Sequence, residues 1–244
     1  MDFTDIHAHL LSSIDDGPKD DTQMFALLDA LYHDGAKCIC CTPHYHPGYY
    51  GHNTTPSSEK YQALSKFANE KYPGLTIFLG NELHYSQGCV EWVEAGLCRT
   101  LNGTRYVLVD FDFDERYQVI EFAVLSFLRH GYIPVLAHIE RYLSLHRRSK
   151  LVMRLRDIGA IIQVNASSVL RPYRYPLVRK ILQQRIVDVI ASDAHNLEGR
   201  PPTLSKAYIE VSQRYGKDYA DELFLFHPNA ILNVQAERRR CADE

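Results

Sequence analysis

The sequence predicts an α/β fold in which parallel strands make a closed or distorted barrel of seven units. Three observations predict it. Seven short apolar runs recur along the 244 residues, as buried parallel strands do. Segments of helical spacing fill the gaps between them, which makes the connections right-handed crossovers. Each run also delivers a metal-type ligand at its end, and residues at strand C-termini converge on a barrel's active face. A solvated surface would not place His, Asp and Glu at the same point of successive units.

The elements follow in order. The first strand closes with Asp5-Ile6-His7-Ala8-His9. A helix from Asp20 to Asp34 follows, with Met24, Leu27, Leu28 and Leu31 on one face and Gly35 as its C-cap. The second strand, Cys38 to Thr42, delivers His44. Ser57 or Ser58 caps the next helix, which runs through Tyr72 to the stop at Pro73-Gly74. Strand three, Thr76 to Leu79, delivers Glu82, and a helix covers about 88–98. Strand four, Tyr106 to Val109, delivers Asp110 ahead of a helix at about 115–130. Strand five, Ile133 to Ala137, delivers His138, and strand six, Ala160 to Val164, delivers Asn165. Helices at about 149–158 and 174–185 follow these two. Strand seven, Val187 to Ala191, delivers Asp193 and His195 before a helix at about 203–215 and one or two short helices in 218–233. The loops 44–56 and 165–175, rich in polar and aromatic residues, belong on the ligand face. No repeat or linker interrupts the chain, so one domain is expected over 1–244.

Composition excludes several classes. At 45% hydrophobic and 23% charged the chain is an ordinary globular protein. A net charge of -3 gives no basic field for nucleic acid, and Arg147-Arg148 and Arg238-Arg239-Arg240 read as local solvated clusters. No apolar run approaches the roughly 18 residues of a membrane span. Six scattered cysteines without a Cys-x-x-Cys pair, and a start that goes directly into a strand, lead us to expect reduced thiols and a cytoplasmic protein.

The strand-end set is imidazole and carboxylate without sulfur. Such sets suit Mn²⁺, Fe²⁺ or Zn²⁺ in catalytic sites more than closed structural zinc. One His-x-His pair is weak by itself. Together with Asp193-x-His195, His44, Glu82 and His138, all at strand ends, it is strong. His33, His52, His84, His130, His146 and His227 lack the pattern and read as core or surface residues, with His46 left open. Asp15 reads as a turn or helix-entry cap, Gln163-Val164-Asn165 as a pocket floor and Trp92 as core.

The runs Asp5-Ile6-His7-Ala8-His9, Asp15-Asp16-Gly17-Pro18, Thr42-Pro43-His44, Gly80-Asn81-Glu82, His138-Ile139-Glu140-Arg141 and Ser192-Asp193-Ala194-His195-Asn196 resemble the polymerase-and-histidinol-phosphatase (PHP) superfamily. More narrowly, they resemble its bacterial manganese-dependent protein-tyrosine phosphatases of capsule and exopolysaccharide operons. The resemblance spans about 1–233, in order. It implies a distorted seven-stranded, TIM-like (β/α)7 barrel holding three divalent metals, manganese first and iron or zinc as alternatives. The ligands it implies are His7, His9, Asp16, His44, Glu82, Asp110, His138, Asp193 and His195, with Arg141 and Arg200 holding the phosphate. The implied substrate is phosphotyrosine on the tail of a partner tyrosine autokinase. The family usually carries Glu where this chain has Asp110, a carboxylate one methylene shorter.

Charge supports that chemistry. Three divalent ions would bring six positive charges and the four carboxylates would return four, leaving about +2 to attract a phosphomonoester dianion. A metal-bound water loses its proton readily, so the expected step is attack of hydroxide on phosphorus in line with the leaving phenoxide. His44 or His195 could protonate the leaving oxygen. Rival readings fare worse. A Cys-x5-Arg phosphatase is excluded, because no cysteine has Arg six positions on. Asp110-Phe111-Asp112-Phe113-Asp114 imitates a haloacid-dehalogenase nucleophile motif but ends on Asp114 and leaves the other strand ends idle. A histidinol-phosphate or other small-phosphomonoester phosphatase stays within the superfamily, and a non-catalytic metal scaffold would lack ligands. Tyr45, Tyr49, Tyr50, Tyr173 and Tyr175 are expected as an aromatic rim around the phosphorylated ring.

Overall fold

The computed structural model describes residues 2–50 and 54–234. His52 and the Arg238–Arg240 cluster lie outside these. All strands pair in parallel. One sheet has the order β1 (Phe3–Ala8), β2 (Ala36–Cys41), β4 (Thr76–Leu79). The other runs β3 (His44–Tyr45), β5 (Glu82–His84), β6 (Tyr106–Asp110), β7 (Ile133–Leu136), β8 (Ile161–Asn165), β9 (Val189–Ala191).

The seven expected runs are thus divided into nine strands among the described residues. The cause is local. Thr42-Pro43 interrupts the second run, and proline has no N–H for a ladder. Gly80-Asn81 interrupts the third at the same level. Hydrogen bonds still cross the gap: Gly80 N donates to Cys41 O at 2.9 Å and Glu82 N to Pro43 O at 3.2 Å. Asn81, fully buried, adds its own amide to Pro43 O at 2.9 Å. At the far edges Ala8 and Ala194 form an isolated parallel bridge, and His9 N donates to Ala194 O at 2.9 Å.

The helices occupy the crossovers. In α1 (Asp21–His33) the Asp20 side chain accepts from Gln23 N, and Met24, Leu27, Leu28 and Leu31 are the buried face, as their spacing predicts. Gly35 follows at φ 104°, a left-handed stop that glycine adopts without strain. The helix α2 (Thr54–Lys71) starts earlier than expected. Ser57 and Ser58 lie inside it rather than at its cap, because Pro56 in the first turn is compatible with helix. Next come α3 (Cys89–Glu94), α4 (Tyr117–Arg129), α5 (Ser149–Ile158), α6 (Ala166–Val169), α7 (Pro176–Gln183) and α8 (Leu204–Tyr215). Then α9 (Lys217–Asp221), a π-turn at Glu222–Phe226 and α10 (His227–Leu232) complete the described chain. The short α6 falls where the sequence suggested only loop.

Two apolar layers hold these elements. The larger lies between strands and helices. The smaller joins Ile6, Cys40, Phe78, Leu108, Val135 and Val189, one from each of six strands, with Ile231 and Leu232 of α10 against them. None of the described helices is long and apolar enough to cross a membrane.

Candidate metal centre

The ends of β1, β3, β5, β6, β7 and β9 carry the expected residues to one place. The register of β1 against β2 shifts between Asp5 and Ala8. Residues two apart on a strand share a face, and here His7 and His9 both turn inward, with Nε2 atoms 3.2 Å apart. Glu82 on β5 lies at the middle. Its Oε2 is 3.3 Å from His7 Nε2, 3.1 Å from His9 Nε2 and 3.1 Å from His44 Nδ1. Its Oε1 is 2.8 Å from His138 Nε2. Asp16 approaches from the loop after β1, with Oδ1 3.1 Å from His195 Nε2 and 3.5 Å from His44 Nε2.

Three overlapping groups therefore offer ligand atoms within 4.8 Å of one another: His9, Asp16, His44 and His195; His7, His9 and Glu82; His44, Glu82 and Asp110. Seven of the nine expected ligands fall in them. His138 stands outside, bonded to Glu82. Asp193 stands outside as well, held by Arg141 at 2.6 Å, by Arg200 at 2.8 Å and by the Asn165 amide at 2.6 Å. Arg200 also reaches Asp16 Oδ2 at 3.2 Å. The two guanidiniums thus meet on one carboxylate. His138 (φ 32°) and Asp193 (φ 51°) both adopt left-handed backbone, a strain of order 1–3 kcal/mol each that functional sites commonly carry.

The donors fit divalent cations. Asp110 Oδ1 and His138 Nδ1 are buried and have no hydrogen-bond partner, and buried Glu82 Oε2 and His195 Nε2 make ion-pair contacts but no hydrogen bond of good geometry. Buried polar atoms without partners are costly, and a cation would engage such acceptors. Charge is compressed here. Burial opposes protonation of His7 and His9, yet the carboxylates beside them prevail and push both up to about 9. His195 goes the other way, to about 4, through burial and the neighbouring His9 charge. Burial works against ionised Asp193, but His7, Arg141 and Arg200 hold its carboxyl well below the usual range.

Further residues serve this cluster. Asp15 makes the expected turn, accepting from Gly17 N at 3.0 Å. It also does what the cap reading omitted: Oδ2 lies 2.8 Å from His9 Nδ1 and accepts from His44 N at 2.9 Å. Gln163 lies beneath, with Oε1 3.2 Å from His7 Nδ1 and accepting from His138 N at 2.8 Å. His84 corrects another expectation. It sits at the site, with Nδ1 3.2 Å from Asp110 Oδ2 and its ring stacked on His46 at 4.1 Å. Strand alternation was the available signal, because residues 82 and 84 share a face. The aromatic rim needs a correction too. Tyr45 is fully buried because its strand position faces the core, where it meets Trp92 edge-on. Tyr50 stacks on His44 with ring centroids 5.2 Å apart, and Tyr173 is fully exposed. Cys38, Cys40, Cys41, Cys89 and Cys98 are all buried, so none of these thiols meets a substrate. Asp112 is largely exposed, 3.6 Å from His84, and away from the three groups.

The family model for capsular polysaccharide synthesis, CpsB/CapC, matches residues 3–233. The chain belongs to the CpsB/CapC family. This CpsB/CapC chain is 34% identical over 239 residues to the tyrosine-protein phosphatase CpsB of Streptococcus pneumoniae, covering 95% of the chain and 98% of that relative. Its fold is similar to that of the metal-dependent tyrosine phosphatases YwqE of Bacillus subtilis and CpsB of S. pneumoniae, with TM-score 0.87, 25% identity and 94% of each chain covered. A β-aspartyl dipeptidase of Fervidobacterium islandicum AW-1 shares the fold more distantly, at TM-score 0.57 and 12% identity, with 94% of this chain and 72% of that one covered.

Proposed function

We propose that this chain is a metal-dependent protein-tyrosine phosphatase. The observation that carries the reading is the set of three ligand groups overlapping on His9, His44 and Glu82, with Arg141 and Arg200 meeting beside them. The names of its CpsB/CapC relatives support the reaction class. The single domain over 1–244 is read as a distorted seven-stranded PHP barrel, a reading supported by the bonds across Thr42-Pro43 and by the Ala8–Ala194 bridge.

His7, His9, Asp16, His44, Glu82, Asp110, His138, Asp193 and His195 would hold three divalent ions, manganese before iron or zinc because of the imidazole content. Bound there, such ions supply a water of lowered pKa as the nucleophile and positive charge for the phosphoryl oxygens. Arg141 and Arg200 bind and orient the phosphate, with planar forks that match its oxygens. His44 or His195, where not committed to a metal, would carry a proton to the departing phenolate; His44 is the better placed, because Glu82 raises it against the pull of burial whereas burial lowers His195 to about 4. A phenol leaves with pKa near 10, so this proton matters less than for an alkyl ester. Asp15 and Gln163 orient His9 and His7. Acting in the cytoplasm, the chain takes as substrate phosphotyrosine on the flexible tail of a partner tyrosine autokinase that governs capsule or exopolysaccharide synthesis, in keeping with the family's role.

The test compares kcat/KM for a phosphotyrosine peptide, the matching phosphoserine peptide and histidinol phosphate, with and without chelation. Activity should vanish in EDTA and return better with Mn²⁺ than with Mg²⁺, which prefers all-oxygen sites. Full activity after prolonged EDTA overturns the metal reading. Preference for histidinol phosphate moves the chain to the small-metabolite branch.

A further inference from the structure

We infer that His84 is a positioning residue, which holds Asp110 so that one carboxylate oxygen stays free for a metal shared with His44 and Glu82. The inference rests on the metal reading above and extends it to a residue outside the ligand set.

The geometry is specific. In the β5–β6 register His84 pairs directly with Asp110. Its Nδ1 lies 3.2 Å from Asp110 Oδ2, and a proton on that nitrogen donates there. Asp110 Oδ1 is left buried and without a hydrogen-bond partner, although its carboxylate belongs to a group with His44 and Glu82. The imidazole is itself fixed. His46 stacks on it at 4.1 Å and 20°, and Asp112 Oδ1 lies 3.6 Å from Nε2. A ring so held can orient its carboxylate, as partners of metal-ligating side chains do.

The shortness of Asp110 gives this arrangement its purpose. A glutamate would bring one more methylene of reach and one more rotatable bond. An aspartate has neither, so its oxygen has less freedom to find the shared position and depends more on what holds its carboxylate. The neighbour at residue 84 holds it.

The test measures Mn²⁺ affinity and stoichiometry on the full chain, by calorimetry and elemental analysis, beside kcat and KM on a phosphotyrosine substrate. His84→Ala should weaken the weakest Mn²⁺ site by about 10- to 100-fold and lower kcat with KM little changed, the range for losing a ligand's orienting partner. His84→Asn should recover most of the loss, because its amide nitrogen stands near the place of Nδ1. His84→Gln should not. In an Asp110→Asn background His84→Ala should cost nothing further. Parent-like Mn²⁺ binding in His84→Ala overturns the inference, as does a full further loss in the Asp110→Asn background. If His84→Ala fails to fold, equal Mn²⁺ affinity in the Asn and Gln variants overturns it instead. A parent that binds no Mn²⁺ overturns the metal reading itself, before any variant is compared.

Discussion

Glu82 Oε2 lies within 3.3 Å of nitrogens from His7, His9 and His44, and its other oxygen engages His138. Among the described residues no other carboxylate touches four imidazoles. Glu82→Ala should therefore lower kcat by at least about a hundredfold, on the scale of losing a preorganised charge-stabilising group. Metal content, measured on the same preparation, should fall with it. A Glu82→Ala enzyme with parental rate and metal would remove Glu82 from the centre. The arginines separate binding from metal holding. Arg141→Ala and Arg200→Ala should keep their metal and lose kcat/KM, and Arg→Lys should rescue poorly because lysine lacks the planar fork. Parental kinetics in both alanine variants would refute the phosphate clamp. Asp15 and His84 show where residue-level reading from sequence stopped. His9, Glu82 and Asp193 were legible because strand ends announce them. Asp15 and His84 act through partners distant in sequence that the fold brings close, His84 opposite Asp110 in the β5–β6 register and Asp15, from a loop, beside His44.

The elements themselves were legible in different degrees. α1 could be read whole, because Asp20, the four apolar positions and Gly35 agree on one helix. α2 began before its expected serine caps, since propensity alone marks helix starts weakly. The strand runs were correct, but their division at Thr42-Pro43 and Gly80-Asn81 depends on ladder bonds between distant segments. One element-scale constraint is steric. In the loop between β1 and α1 Gly17 lies so near the His9 carbonyl that an added Cβ would meet that oxygen at 2.6 Å. Gly17→Ala should push His9 and Asp15 apart and destabilise the fold by about 1–3 kcal/mol, the usual cost of overpacking. Thermal melting with and without Mn²⁺ checks it: the Mn²⁺-dependent rise in Tm should shrink in the variant, and an undiminished rise would show that the loop adapts.

At the scale of the whole molecule the centre couples metal to protons. Without an ion, the carboxylates beside His7 and His9 prevail over burial and hold a proton on the pair up to about pH 9, while the 3.2 Å contact between the Nε2 atoms lets only one of those two nitrogens carry it. An ion can take those nitrogens only after the proton leaves. Apparent Mn²⁺ affinity should rise with pH through neutrality and level off above about 9, with net proton release near neutral pH. Calorimetry in two buffers of different ionisation enthalpy measures the release, and zero release would contradict it. The Ala8–Ala194 bridge has a consequence for synthesis. His7 and His9 leave the ribosome first, whereas Asp193, His195 and the backbone that docks on β1 arrive nearly two hundred residues later. A nascent chain can shape its early strands and pack α1 while holding only part of the centre. Turnover must then await synthesis past His195.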